Sequence, residues 1–363
     1  PWAPMTGPMV QVLSCSGAPI QTCSGESGCD PTSGTCENAC SVAVKTKQSV
    51  GCEYYPTFME MNDSSFWKGN QICFAVIVAN TWDTPAKVSV ELNGVTIDID
   101  KFAYVPQGSG PSLKLQPTSV AQGIAPGGVA ILFLAGAQGS EKAHCPVPSA
   151  MTVGPMVQGT GKSHSFHLKT NVPVVAYQIS PYGGGNAAVT GASLLIPTSA
   201  REVNYIALNA YKYGIAPPSM NIIAVENGTD VTLVPVAAVS GGGGLPSGSA
   251  NVPLSFSLNA GEMAQFSQNA ELTGSVIYFA DLVTKQDRAR CVAAGRSRGR
   301  NDAQLDGRCH RAREPRSGSG RRAPDRNAVS GQEPRRSASV HALPADDRLD
   351  LRQRDERLRG RRL

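Results

Sequence analysis

The chain has 363 residues, 41% of them apolar, 6% aromatic and 17% charged, with a formal net charge of +5. Its longest continuous apolar run, Val129–Ala137, is too short to cross a bilayer, so no transmembrane segment is expected. The charge is divided unevenly: residues 1–280 carry 11 basic and 16 acidic side chains (net −5), and residues 281–363 carry 22 and 12 (net +10). Arg201 is the sole arginine before position 281, and no aromatic residue follows Phe279. The chain starts at Pro1 with no Met, so a fragment is expected whose export signal lies outside it.

Residues 1–48 read as a loop-rich segment. Cys15, Cys23, Cys29, Cys36, Cys40 and Cys52 crowd into 38 residues among Gly, Ser, Pro and Thr, which cannot build a core. Such a segment needs covalent staples, and disulfides form outside the reducing cytosol. The gaps of seven, five, six, three and eleven residues contain no CxxC-type pair, which leaves zinc as the weaker reading. Cys73 and Cys145 lie outside the cluster and are expected to pair with each other; connectivity within the cluster is not readable. A short helix is predicted over Ala39–Lys47.

From Ser49 the texture changes to strands, and the fold class is all-β. Residues 49–200 are predicted to form a first antiparallel β-sandwich unit and residues 201–281 a second, incomplete one. Ile72–Asn80 is almost continuously apolar, the mark of a strand covered on both faces. Lys87–Leu92, Asn93-Gly94 and Val95–Ile99 predict a two-residue hairpin, because Asn-Gly accepts the positive φ angles of a type I′ turn. Its register would pair Leu92 with Val95, Val90 with Ile97 and Val88 with Ile99, all on one face. A second hairpin is predicted at Asn227-Gly228, with Ile222 opposite Leu233 and Ala224 opposite Val231. Ile124–Ala130 parallels Leu258–Ala264, and Phe166–Asn171 parallels Val276–Asp281, so the two units read as a diverged tandem repeat.

The repeat predicts an apolar strand after Asp281, as Val172–Tyr177 follows Asn171. The chain instead gives Leu-Val-Thr and then Lys285–Arg290, and the remainder is rich in Arg, Ala, Gly, Asp and Ser without periodicity. Residues 282–363 are therefore expected to be a disordered Arg-rich tail. Its composition fits GC-rich coding DNA read in a shifted frame from near residues 281–290. A genuine tail and a nucleic-acid arm are the rival readings. Twelve interspersed acids and the lack of aromatic residues to stack on bases weigh against nucleic acid.

No catalytic or cofactor motif stands out, and no metal is expected. Gly159-Thr-Gly-Lys162-Ser163 resembles the end of a phosphate-binding loop. It has Met156 where glycine is required and leads into a strand, so it reads as a hairpin loop. His164 and His167, three apart on a strand, are expected on opposite faces and unable to share an ion. Asp98 and Asp100 fit a solvated sheet face better than a weak Ca²⁺ site. Tyr54, Tyr55, Trp82 and Tyr182 sit near predicted strand ends or loops and are candidate binding-surface aromatics; burial against the sandwich is the default alternative.

Several stretches carry a resemblance when taken in order: Cys36–Cys40 with Ser49–Pro56, Phe74–Asn80, the Pro126-Gly-Gly turn, Val172–Gln178, Ala192–Thr198, Tyr205 and Val225–Thr229. Over about residues 36–281 the chain resembles the N-terminal domain of the IgG-Fc-binding protein family, which includes an animal mucus protein and many bacterial secreted or surface proteins. It departs from that pattern at Gly191, where an acidic residue is usual, and after Asp281, where the expected strand and a Cys/His-containing loop are missing. The resemblance implies a non-enzymatic extracellular or cell-surface module for binding or adhesion. Its partner would be an extracellular protein or glycan of unknown identity. The resemblance transfers no catalytic residue and does not establish immunoglobulin binding. The alternatives are a secreted carbohydrate-active or other hydrolase, which would need two carboxyls about 5–10 Å apart across a cleft, and a purely structural surface module.

Overall fold

The computed structural model describes residues 11–13, 19–60, 69–140, 143–183, 191–208 and 217–279, all within one compact unit. Cys15 and the Arg-rich segment 282–363 lie outside the described residues.

The Cys-rich segment is built from two ribbons, β1 (Gln11–Leu13) with β2 (Pro19–Thr22) and β3 (Ser27–Asp30) with β4 (Thr35–Asn38), followed by α1 (Ala39–Thr46). Asn38 starts the helix where it was predicted: its side-chain oxygen accepts from the Cys40 and Ser41 amides, two donors that the helix itself cannot satisfy. Disulfides Cys23–Cys36 and Cys40–Cys52 staple the segment. Lys45 reaches from the last turn of α1 to Asp30 (2.8 Å) and Glu37 (2.5 Å).

The Lys45 ammonium, aided by the Thr32 amide, holds the buried Asp30 carboxyl well below the ordinary carboxylate range. Because the folded value is depressed, this contribution to stability is present above the unfolded pKa of about 3.9 and is lost as pH falls through the folded value. Thermal unfolding followed downward from pH 5 should therefore drop less steeply for Asp30→Asn than for the parent. Equal slopes would remove Asp30 from the account.

The first hydrophobic core lies between two strand layers that share one long strand. The strands are β5 (Gly51–Tyr54), β6 (Phe74–Ala79), β7 (Val88–Leu92), β8 (Val95–Ile97), β9 (Ala103–Gln107), β10 (Lys114–Pro117), β11 (Val129–Ala135), β12 (Gly161–His164), β13 (Phe166–Ser180) and β14 (Gly191–Leu194). The first part of β13 pairs with β7 on one side and β5 on the other, and β7 pairs in turn with β8. Its last part pairs with β6 and β14, in a layer ordered β10-β9-β11-β6-β13. The change comes around Pro173, which has no N–H to give a ladder and is tolerated where pairing shifts. Tyr54, Phe58, Phe74, Val76, Val90, Leu132, Phe166 and Leu168 fill the space between the layers. As its apolar run predicted, β6 is central and buried on both faces, with Ala75, Val76 and Val78 all inaccessible.

The Asn93-Gly94 turn forms with φ of 50° and 75°, and Val90 faces Ile97 and Leu92 faces Val95 as predicted. The third expected pair does not form. The chain enters a short 3₁₀ turn at Ile99–Phe102, and Val88 pairs instead with Thr170 of β13. Val95 is 68% exposed, because the tip of this edge hairpin runs beyond the buried part of the sheet.

The second core is enclosed by β12-β19-β16 on one side and β15-β20-β17-β18 on the other. The new strands are β15 (Asn204–Ile206), β16 (Ser219–Ile223), β17 (Thr229–Val234), β18 (Leu254–Leu258), β19 (Glu262–Ser267) and β20 (Val276–Phe279). Here the sequence expectation is corrected, since Asn227-Gly228 is not a hairpin turn. It carries the chain from one sheet to the other, so Ile222 lies opposite Ala264 of β19, and Leu233 lies opposite Leu254 and Ile277. Ile222, Ala224, Val231 and Leu233 still meet, but across the core. Alternating apolar residues on two consecutive strands suit facing sheets as well as neighbouring strands.

The repeat survives this correction in a different register. Strands β6, β7, β8, β11 and β13 correspond to β16, β17, β18, β19 and β20, and the neighbours match: β11 with β6 as β19 with β16, and β13-β7-β8 as β20-β17-β18. Asn227-Gly228 thus corresponds to the loop before β7, not to Asn93-Gly94.

Candidate functional site: a polar cleft between the two cores

Three adjacent strands set up the site. Along β5, Tyr54 points into the first core and its neighbours Glu53 and Tyr55 point away from it. On β13, Leu168 is buried and His167 faces the other way, and on β7 Val90 and Glu91 divide likewise. The register Leu168 with Tyr54 and His167 with Glu91 brings the outward side chains into one row. They line a cleft of about 600 Å³, closed on its other wall by Val225, Asn227 and Asn259–Glu262 of the second core. Asn93-Gly94 and Asn227 both reach this cleft.

At its base the Tyr55 and His167 rings stack with centroids 4.5 Å apart and planes 7° from parallel. Arg201 lines the neighbouring groove rather than the cleft, and its guanidinium lies over the Tyr55 ring, 5.5 Å from its centroid, within the range of a cation–π contact. His167 Nε2 is 2.6 Å from Glu53 Oε1, and Nδ1 is 3.8 Å from Glu91 Oε2. The Thr198 hydroxyl donates to the other Glu53 oxygen at 2.8 Å. The His167 contact, with help from Thr198, holds the Glu53 carboxyl below its ordinary value against the opposing effect of burial. Burial and the Glu53 charge push the Tyr55 hydroxyl up to about 12, so it stays protonated at neutral pH. Burial lowers the Arg201 guanidinium somewhat, but an arginine remains charged.

The residues singled out from sequence have mixed fates. Tyr55 is in the cleft. Tyr54 is fully buried, its hydroxyl accepting from the Gly51 amide and donating to the Val174 carbonyl, and so offers no contact surface. Trp82 is 8% exposed and donates its indole N–H to the Gly25 carbonyl, tying the Cys-rich segment to the first core. Tyr182 packs edge-on against Phe133 beside the Cys73–Cys145 disulfide.

His164 and His167 do not open on opposite sides. Ser165 interrupts the extended chain between β12, which ends at His164, and β13, and both histidines line the cleft. Asp98 and Asp100 do not share a solvated face either: Asp98 pairs with Lys101, and Asp100 accepts from the Ser119 hydroxyl and the Ala121 amide. The sulfurs of Cys23, Cys29 and Cys36 lie within 4.8 Å of one another, but Cys23 and Cys36 are bonded, and burial pushes the remaining Cys29 thiol up. Sequence reasoning passed over Arg201, Glu53, Glu91 and His167 as a group. The available signal was Arg201 itself, one arginine in 280 residues.

Fold and site together define an all-β, disulfide-bearing chain with a polar cleft and no helix long and apolar enough to cross a membrane among the described residues. Residues 191–296 match the model of a family described as IgGFc binding protein, so the resemblance read from the sequence holds over that stretch. That family is one of binding modules. The match includes Arg201 and the second core but not Glu53, Tyr55, Glu91 or His167. No curated protein and no solved structure matches the chain.

Proposed function

We propose that the chain is a non-enzymatic binding module of the extracellular space or cell surface, and that it recognises an extracellular protein or glycan through this cleft. The observation that carries the reading is the Arg201–Tyr55–His167 stack, held in place by Glu53 and Glu91 at the junction of two rigid cores. Stacked aromatic and guanidinium groups give a preformed contact surface that loses little entropy on binding. The disulfides favour an oxidising compartment, and the family match points to binding.

The same cleft bears on the hydrolase alternative. It holds three carboxylates, Glu53, Glu91 and Glu262, but a glycosidase acid must keep its proton near neutral pH, which takes a raised pKa. The Glu53 value is lowered, Glu53 and Glu91 flank one imidazole, and Glu262 accepts from the Asn259 amide. This favours a binding surface over acid–base chemistry.

The test is capture of the purified chain on immobilised immunoglobulin G, on mucin and on a glycan array. Whatever ligand is captured should bind at least about tenfold more weakly to His167→Ala, the loss expected of a contact worth about 1.4 kcal/mol, with unchanged thermal stability. Capture that ignores Arg201→Ala and His167→Ala alike would place recognition elsewhere. Capture of nothing would leave the structural-module alternative.

A further inference from the structure

The repeat shows a second surface, which adjoins the cleft through Val225 and Arg201. In the first core β6 has a neighbour on each side: β11 on one and the last part of β13 on the other, with Ala79 opposite Val175, Val78 opposite Ala176 and Ile77 opposite Tyr177. In the second core β19 takes the place of β11 residue for residue, setting Met220 and Ile222 at the positions of Val76 and Val78. The other side of β16 has no partner strand among the described residues.

That side is an apolar groove of about 570 Å³. Ile206 (75% exposed) and Leu208 (89%) stand along it, and Asn221 Oδ1 is buried there with no hydrogen-bond partner among the described residues. An open strand edge beside exposed aliphatic side chains is a template for another strand.

A pair of tyrosines strengthens the correspondence. Tyr54 on β5 and Tyr205 on β15 each accept from the amide three residues earlier, Gly51 at 2.9 Å and Glu202 at 2.8 Å. Tyr54 also donates to the Val174 carbonyl of β13. With Leu168 matched to Ile277 by burial and pairing, one residue off the alignment of Phe166 with Val276 read from the sequence, the residue in the place of Val174 falls after Phe279. This chain continues there with Ala280-Asp-Leu-Val-Thr284 and then Lys285-Gln-Asp-Arg288. Lys285 would take the place of the buried Ala176, and burying an unpaired ammonium is costly. The sequence that follows β20 does not suit the slot.

We infer that the free edge of β16 accepts an extended segment of another polypeptide, antiparallel to β16, with apolar side chains at alternate positions. Backbone hydrogen bonds to β16 would give affinity, and the groove beside Ile206, Met220 and Ile222 would select the apolar alternation.

The probe is a labelled synthetic peptide with the sequence of Val174–Ser180, added to the unmodified full chain. Binding is read by fluorescence anisotropy and backbone protection by hydrogen exchange. The peptide should bind, and the β16 amides should exchange about tenfold more slowly, a factor of about 1.4 kcal/mol. The same peptide carrying Tyr177→Pro, which removes a donor on the side that faces β6 in the first core, should not bind. Equal binding of both peptides would overturn the inference, as adhesion to a greasy surface. So would absence of binding, whether the β16 amides exchange freely or are already protected in the free chain. The latter result would show that residues after Phe279 cover the edge themselves.

Discussion

Replacing Cys73 and Cys145 together by alanine should lower the free energy of unfolding by about 4 kcal/mol in the loop-entropy description. The bond joins residues 72 apart in sequence, much the longest loop closed by a disulfide among the described residues. It is buried between Ala75, Ile131 and Phe133 on the outer face of the β6–β11 layer. Breaking it frees the segment that returns from β11 toward β12. Two backbone bonds show how closely that segment is held: the Cys73 amide donates to the Ala143 carbonyl, and the Cys145 amide to Ala137, both at 2.8 Å. Denaturant unfolding of the double variant beside the parent measures the difference. By contrast, Cys23–Cys36 and Cys40–Cys52 close loops of 13 and 12 residues, so the same model assigns each of them less. A loss under about 1 kcal/mol for the Cys73–Cys145 pair would mean that strand pairing alone holds this segment.

Phe74→Ala should cost about 3–5 kcal/mol, the range for emptying a buried aromatic site. Phe74 is fully buried at the start of β6 and stacks between Phe58 (5.2 Å) and Phe166 (5.9 Å). Those rings come from the loop after β5, from β6 and from β13. The cavity would therefore open at the junction of both layers, where rigid sheet backbones limit collapse. Val95→Ala, at the exposed tip of the first hairpin, is the control and should stay within about 0.5 kcal/mol of the parent. If both substitutions cost the same, the core assigned between the two layers is not the main source of stability.

Much of the architecture was legible before any coordinates. The Asn93-Gly94 turn worked because two local signals, a dipeptide that accepts positive φ and an alternation of period two, required the same geometry. The helix at Ala39 begins at an Asn38 cap, a local signal that the sequence reading did not use. The second Asn-Gly turn misled because nothing local separates a turn within a sheet from a crossing between sheets. Ile222 and Leu233 are buried in either arrangement. The cleft was harder still. Glu53, Glu91, His167 and Arg201 are distant in sequence and unremarkable singly, and they share no motif.

Alternation, turn dipeptides and cysteine spacing by themselves determined that this is an all-β, disulfide-stapled chain built on a repeated strand pattern, because those signals act over a few residues and cannot be satisfied by helices. Tertiary structure alone decided which strands are neighbours and which outward side chains meet. Pairing across β5, β13 and β7 sets a carboxylate on each side of one imidazole, and the packing of two cores brings an isolated arginine over its stacking partner. Such contacts depend on register and on the path of the chain between sheets, and no short stretch of residues encodes either.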